Sequence, residues 1–174
     1  RVTGDRIVIA KVARWDPDKR WLLAVDTVAD LKLRGRRPLL IARGGLEAHG
    51  SDVMRRATTL GLQVSERKPR NRGVDGLMEC LQNTNGTDVL ILNWQLCAEA
   101  KRALFRRSQA VLVNSGHEPF GLVGLEAMAA GGIACVGGTG EDYAIPGWNS
   151  LVLQTDEPRE LFDMLHWLRS NPQE

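Results

Sequence analysis

Short apolar segments and longer segments of mixed polarity alternate along the chain. Seven apolar segments predict strands, at residues 6–13, 38–42, 62–64, 88–92, 110–113, 133–136 and 151–153. Six segments that follow strands predict helices, at residues 19–33, 51–60, 74–82, 98–105, 122–129 and 157–169. Because strands and helices alternate, we expect an α/β fold: a Rossmann-like parallel sheet with right-handed crossovers and helices on both faces.

Apolar residues repeat at helical spacing in three of the predicted helices. They are Leu22, Val25, Ala29 and Leu33 in the first, Leu122, Leu125 and Ala129 in the fifth, and Leu161, Met164, Leu165 and Leu168 in the last. Asp16 or Asp18 is the expected cap of the first helix, and Ser51 that of the second. Gly35, Gly61 and Gly131 are the expected helix stops.

Composition excludes several function classes. The chain has 174 residues, 43% of them hydrophobic and 25% charged, which is ordinary for one globular domain. A net charge of +2 is too small to argue for nucleic acid, and no apolar run is long enough to cross a bilayer. Three cysteines without a C-x-x-C pair argue against a disulfide framework or a zinc site, so we expect a cytoplasmic protein. Because residue 1 is Arg rather than Met, we expect an excised domain.

The segment 110–132 reads as a strand, a short polar loop and a helix, with Glu118 in the loop and Glu126 in the helix. Ligands of open α/β sheets bind at the carboxyl ends of strands, where a helix N-terminus attracts phosphate. Gly121 permits close approach of the backbone to a ligand, and carboxylates accept hydrogen bonds from hydroxyl groups. A nucleotide sugar carries both phosphates and hydroxyls. The alternative from the residues alone is that both Glu side chains are solvated helix charges.

This segment resembles the E-x7-E signature of retaining glycosyltransferases that have two facing Rossmann-like domains, the GT-B fold. The pattern there is close to S-x-x-E-x-F-G-L-x-x-L-E-A-M-A-x-G. The matching residues are Ser115, Glu118, Phe120, Gly121, Leu122, Leu125, Glu126, Ala127, Met128, Ala129 and Gly131. The resemblance implies that Phe120, Gly121 and Leu122 help bind the donor, that Glu118 holds hydroxyls of the transferred sugar, and that Glu126 holds the ribose. It also implies glycosyl transfer with retention and without a metal or other cofactor.

The loop after the first predicted strand carries Arg14 and Lys19. Taken alone, they are either surface charges or a clamp for a diphosphate. The same glycosyltransferases have G-R-x-x-x-x-K-G here, and there the Arg and Lys grip the donor's diphosphate. Arg14 and Lys19 match this spacing and would be catalytic with Glu118, whereas Ala13 and Arg20 replace the two glycines.

The resemblance spans residues 6–168 but only the carboxyl-terminal half of such an enzyme. We therefore interpret residues 1–174 as a nucleotide-sugar donor-binding domain, inactive alone. The missing amino-terminal half would bind a sugar or lipid acceptor and would carry any peripheral membrane association. Two alternatives remain: a non-catalytic nucleotide-sugar-binding module and one half of a sugar-nucleotide epimerase. NAD is rejected because the first βα turn lacks G-x-G-x-x-G. The nucleobase, sugar and acceptor are left open.

Overall fold

The computed structural model describes residues 6–117, 120–138 and 142–171. The strands within these ranges are β1 (Ile7–Val12), β2 (Pro38–Arg43), β3 (Val64–Arg67), β4 (Val89–Leu92), β5 (Ala110–Val113), β6 (Ala134–Gly137) and β7 (Leu151–Leu153). They form one parallel sheet in the order β3-β4-β2-β1-β5-β6-β7. The predicted fold class, a Rossmann-like α/β sheet, is confirmed.

Helices cover both faces of the sheet. They are α1 (Trp21–Leu33), α2 (His49–Thr59), α3 (Gly73–Leu81), α4 (Ala98–Arg107), α5 (Leu122–Ala129) and α6 (Pro158–Ser170). One apolar core joins α1, α2 and α6 to one face, and a second core joins α3, α4 and α5 to the other. Because the central strands are buried on both faces, their sequences are continuous apolar runs rather than alternating ones.

The strand order reverses between β1 and β5. The first four strands lie on one side of this point, with β2 beside β1 and then β4 and β3. The last three, β5, β6 and β7, follow one another on the other side. Ile9 pairs with Ala110 and Ala10 with Val111, so the two strands run side by side and their following loops leave the sheet at the same edge. In open α/β sheets this reversal is where a crevice opens for ligands.

Two helices bury a different face from the one that their apolar spacing suggests. In α5 the side chain of Leu122 is 64% exposed and Ala129 is also exposed, whereas Gly124 and Ala127 are buried. Small residues on the inner face let this helix approach the sheet closely. In α1, Leu33 is 87% exposed, and Trp21 is among the residues that fill the core instead.

Several element boundaries also differ from the predictions. β3 begins at Val64 and continues through the polar residues 65–67, because an edge strand paired only with β4 has one free side. α2 begins at His49, so Ser51 is not its cap. Asp16 caps a single 3-10 turn, Pro17–Lys19, that precedes α1. The expected stops Gly35, Gly61 and Gly131 all adopt positive φ, between 69° and 73°.

Candidate functional site

The loops that follow β1 and β5 contact each other at the strand reversal. The backbone N–H of Gly116 donates to the Asp18 carbonyl at 2.7 Å, and the N–H of His117 donates to Asp18 Oδ1 at 3.1 Å. A Cβ atom at position 116 would lie 2.9 Å from that carboxylate oxygen and would have to displace it. Asp18 therefore links the two loops into one surface.

Arg20 closes the first loop in the left-handed backbone conformation, with φ 50° and ψ 45°. This is the position at which the resembled motif has its second glycine, the residue that adopts such angles without steric cost. The Arg20 N–H donates to the Pro17 carbonyl at 2.9 Å, and its guanidinium pairs with Asp156 at 2.7 Å. The loop thus has a glycine-like turn without the glycine.

Arg14 and Lys19 both lie in this first loop. The Arg14 side chain is 71% exposed, and its Nη2 is 3.7 Å from Asp16 Oδ2. The Lys19 side chain is 17% exposed, and its Nζ is 3.8 Å from Asp18 Oδ2. A long ion pair in solvent holds a side chain weakly. Arg14 is therefore able to turn toward an anionic ligand at little cost.

Trp15 packs the first loop against the loop after β2. Its indole lies 4.2 Å from the Trp21 ring, centroid to centroid, and its backbone N–H donates to Glu47 Oε2 at 2.9 Å. Backbone N–H groups of Glu47 itself and of Trp15 lower the pKa of the Glu47 carboxyl. A Cβ atom at Gly44 would lie 1.9 Å from the Trp15 ring, so this contact requires glycine.

Lys11 is buried inside β1, with only 1% of its surface exposed. Its Nζ donates to Asn114 Oδ1 at 2.8 Å and to the Leu112 carbonyl at 3.4 Å, and lies 5.3 Å from the centre of the Trp21 ring. Burial, with smaller contributions from the positive charges of Lys19 and Arg20, lowers the pKa of Lys11 to about 7. A large fraction of the molecules therefore carries the neutral amine at physiological pH.

The loop after β5 leads into α5 through Gly121, the residue before its first turn. The Tyr143 hydroxyl donates to the Gly121 carbonyl at 2.6 Å. The Phe120 ring is 59% exposed and meets the Tyr143 ring edge to face at 5.8 Å. Glu118, predicted to contact the sugar, lies outside the described residues.

Glu126 lies further along α5 and contacts the neighbouring helix. Lys101 Nζ of α4 donates to Glu126 Oε1 at 2.5 Å, and the Glu126 side chain is 42% exposed. The carboxylate is thus oriented by a cation. The structure places it on α5 rather than in the contact between the two loops.

Of the predicted site residues, the structure brings Arg14, Lys19 and the loop leading to Gly121 to one edge of the sheet. Lys11 and Trp15 also lie at the site, although no motif in the sequence predicts a role for them there. The sequence does mark Lys11 as unusual, since it is a single charge inside an apolar run that predicts a buried strand. Nothing in the sequence marks Trp15, because its contact with Gly44 depends on the loop that follows the neighbouring strand.

No cluster of three or more His, Cys, Asp or Glu side chains suited to a metal ion occurs in the described ranges. Within the same ranges, no helix is both long and apolar enough to span a membrane.

Several solved structures have a fold similar to that of this chain. Anabaena HepE in complex with UDP is 18% identical, with a TM-score of 0.69 over 98% of this chain and 41% of that chain. A UDP-forming trehalose-phosphate synthase from Burkholderia xenovorans is 18% identical, with a TM-score of 0.67 over 97% and 38%. Sucrose-phosphate synthase from Thermosynechococcus elongatus is 22% identical, with a TM-score of 0.63 over 97% and 37%. This chain therefore spans about two fifths of each structure's length.

A search of the curated proteins found no match. The model of one protein family, however, matches residues 1–173, nearly the whole chain. The chain belongs to that family, the glycosyl transferases group 1.

Proposed function

We propose that this chain is the donor-binding half of a retaining glycosyltransferase and that it binds a nucleoside diphosphate sugar. The observation that carries the proposal is the contact between the β1 and β5 loops through Asp18, which brings Arg14 and Lys19 to the strand reversal. Two cations at the carboxyl edge of a parallel sheet suit a diphosphate. The same position in the fold supports a nucleotide ligand.

The transfer reaction suggests what Arg14 and Lys19 would do. When the glycosidic bond breaks, the departing diphosphate gains negative charge. Arg14 and Lys19 would stabilise that charge, together with backbone N–H groups near Gly121. Because their charge is opposite to the charge that develops, the stabilisation is greater in the transition state than in the bound donor.

The remaining roles follow from the E-x7-E resemblance. Glu118 would hold hydroxyl groups of the transferred sugar, and Glu126 would accept hydrogen bonds from the ribose. Lys101 supports the second assignment, because an oriented carboxylate loses less entropy when it binds a hydroxyl pair. Phe120 and Leu122, both exposed, would contact the donor from the start of α5. No resident metal or cofactor is assigned a role.

A uridine diphosphate donor is the first to test. The HepE structures contain UDP or UDP-glucose, and two synthases with a similar fold are described as UDP-forming. The acceptor site, and any membrane association, would lie in the rest of the protein.

Isothermal titration of the chain with UDP-glucose, UDP and uridine tests the proposal. We expect both diphosphates to bind and uridine to bind at least tenfold more weakly, because it lacks the charged groups that Arg14 and Lys19 recognise. If UDP-glucose, GDP-mannose and ADP-glucose all fail to bind, the proposed function is wrong.

A further inference from the structure

Lys11 lies near the carboxyl end of β1, the strand that leads into the first loop of the proposed donor site. It is buried in β1, and its strongest contact is the side chain of Asn114, the first residue after β5. Asn114 is also buried, at 1% exposure. One hydrogen bond therefore joins the interior of the sheet to the loop that carries His117 and leads to Gly121.

The charged groups around Lys11 do not neutralise it. The nearby cations, Lys19 and Arg20, carry the same sign and disfavour its protonated form. Lys19 pairs with Asp18 at 3.8 Å, and Arg20 pairs with Asp156 at 2.7 Å. Among the described residues, no carboxylate forms an ion pair with Lys11 itself.

The other elements packed on this face bring two carboxylates near Asn114, and among the described residues neither forms an ion pair with Lys11. Glu157 and Glu160 line a small cavity together with Asn114. Glu160, however, accepts hydrogen bonds from the backbone N–H groups of Gln154 and Thr155 at 2.7 and 2.9 Å. On β6, burial raises the pKa of the Cys135 thiol to about 12, so that group is uncharged at neutral pH.

We propose that Lys11 is a positioning residue of the donor site, whose buried amine takes up a proton when a diphosphate binds above it and, as an ammonium, holds Asn114 and the β5 loop in place. This inference rests on the proposed function. It gives Lys11, inside the strand, a role that Arg14 and Lys19 in the following loop do not fill. They bind the anion directly, whereas Lys11 responds to its field through Asn114.

The expected linkage follows from the charges. In the free chain the pKa of Lys11 is about 7, so above neutral pH most molecules carry a neutral amine. A bound diphosphate favours the ammonium and raises this pKa. If the rise is about one unit, binding takes up roughly half a proton at pH 7.5, and affinity falls about sixfold between pH 6.5 and 8.5.

The test is titration calorimetry of the 174-residue chain with UDP-glucose at pH 7.5, in two buffers that differ in ionisation enthalpy. UDP-glucose is the probe because both of its phosphates are esterified and neither titrates near pH 6, as a terminal phosphate does. We expect proton uptake with UDP-glucose and none with uridine.

Variants assign the proton to its residue. Lys11→Met, which is always neutral, and Lys11→Arg, which is always charged, should both lose the uptake and the pH dependence of affinity. A purely structural role for Lys11 would weaken binding equally at every pH. His117→Asn should retain the uptake, as should Lys68→Met, a matched loss of one charge from an exposed loop at the far edge of the sheet.

Three outcomes overturn the inference. They are UDP-glucose binding without proton uptake, uptake that persists in Lys11→Met, and uptake that disappears in His117→Asn. Each of them leaves the proposed function standing, because the donor still binds. Absence of nucleotide binding in the wild type overturns both proposals together. The wild-type and His117→Asn measurements can still overturn the inference if neither Lys11 variant folds.

Discussion

Arg20 occupies a backbone conformation that suits glycine better than arginine. Left-handed angles cost an L-residue about 1–2 kcal/mol, and the surrounding contacts must offset that cost. Here they include the Pro17 carbonyl and the Asp156 carboxylate. The substitution of the motif's second glycine by Arg20 therefore preserves the turn that places Lys19. A sequence comparison alone would count it as a lost motif residue.

Arg14→Ala should weaken UDP-glucose binding by roughly tenfold to 100-fold, the range of a hydrogen bond to a charged group. Uridine binding should change little, since it has no phosphate. Arg55→Ala is a matched control, because the Arg55 side chain is 73% exposed and pairs with Asp52 on its own element. Equal losses for UDP-glucose and uridine in calorimetry would assign Arg14 to folding instead.

Lys11→Met should change how stability depends on pH. The folded-state pKa of about 7 lies below the ordinary value of 10.5, so between these values the unfolded chain binds more protons. The free energy of unfolding of the wild type therefore rises with pH across that window. Below pH 7 the folded protein bears the full cost of burying a charged lysine. Met does not titrate. The stability of Lys11→Met relative to wild type should fall by about 2–3 kcal/mol from pH 7 to pH 9.

Urea unfolding at the two pH values measures this change directly. The Met side chain leaves Asn114 Oδ1 without its donor, which costs about 1–3 kcal/mol at both pH values and so cancels from the comparison. Lys68→Met, at an exposed position, should show no such pH dependence. A constant stability difference between Lys11→Met and wild type would mean that Lys11 titrates normally.

At the level of elements, the sequence was most informative about which segments form strands and least informative about which helix faces are buried. Buried parallel strands need continuous apolar runs, so β1, β4 and β5 were recognisable without tertiary information. In α5 both faces are apolar, so spacing alone could not separate exposed Leu122 from buried Ala127. The Trp15 contact with Gly44 was also unpredictable, because it forms between loops from two different strands.

Ala127 and Ala129 test the observed orientation of α5. Ala127 is fully buried, so Ala127→Leu should overpack the core and lower the free energy of unfolding by about 1–3 kcal/mol. Ala129 lies on the exposed face, and Ala129→Leu should change it by less than about 0.5 kcal/mol. Chemical denaturation of both variants measures the two effects. If Ala129→Leu were the more destabilising, the face that carries Ala129 would be the buried one.

At the scale of the whole molecule, the chain has about two fifths of the length of the solved structures with a similar fold. Group 1 membership and the α/β sheet are established, whereas the substrate and the reaction are proposals. Eleven matched positions in one segment were enough to predict the family from the sequence. The donor base and the acceptor could not be inferred, since no side-chain pattern in the sequence reports them.

We expect the isolated chain to bind UDP-glucose without transferring glucose. Transfer requires an acceptor held against the anomeric carbon, and such positioning supplies several kcal/mol of the barrier. Mass spectrometry of candidate acceptors, incubated with the chain and donor, should find no glycosylated product. The full-length protein should yield it under the same conditions. Robust transfer by residues 1–174 alone would contradict the two-domain interpretation.

The strand reversal has a consequence for folding. Lys11 and Asn114 touch although 103 residues separate them, so the two loops of the candidate site come from distant parts of the chain. Pairing β1 with β5 requires closure of that long segment, and such high-contact-order pairings form slowly. A growing chain has no complete site until β5 has been made and has docked beside β1. A nucleotide sugar bound across this seam would stabilise the folded state by mass action, acting as a reversible cross-link between early and late parts of the polypeptide.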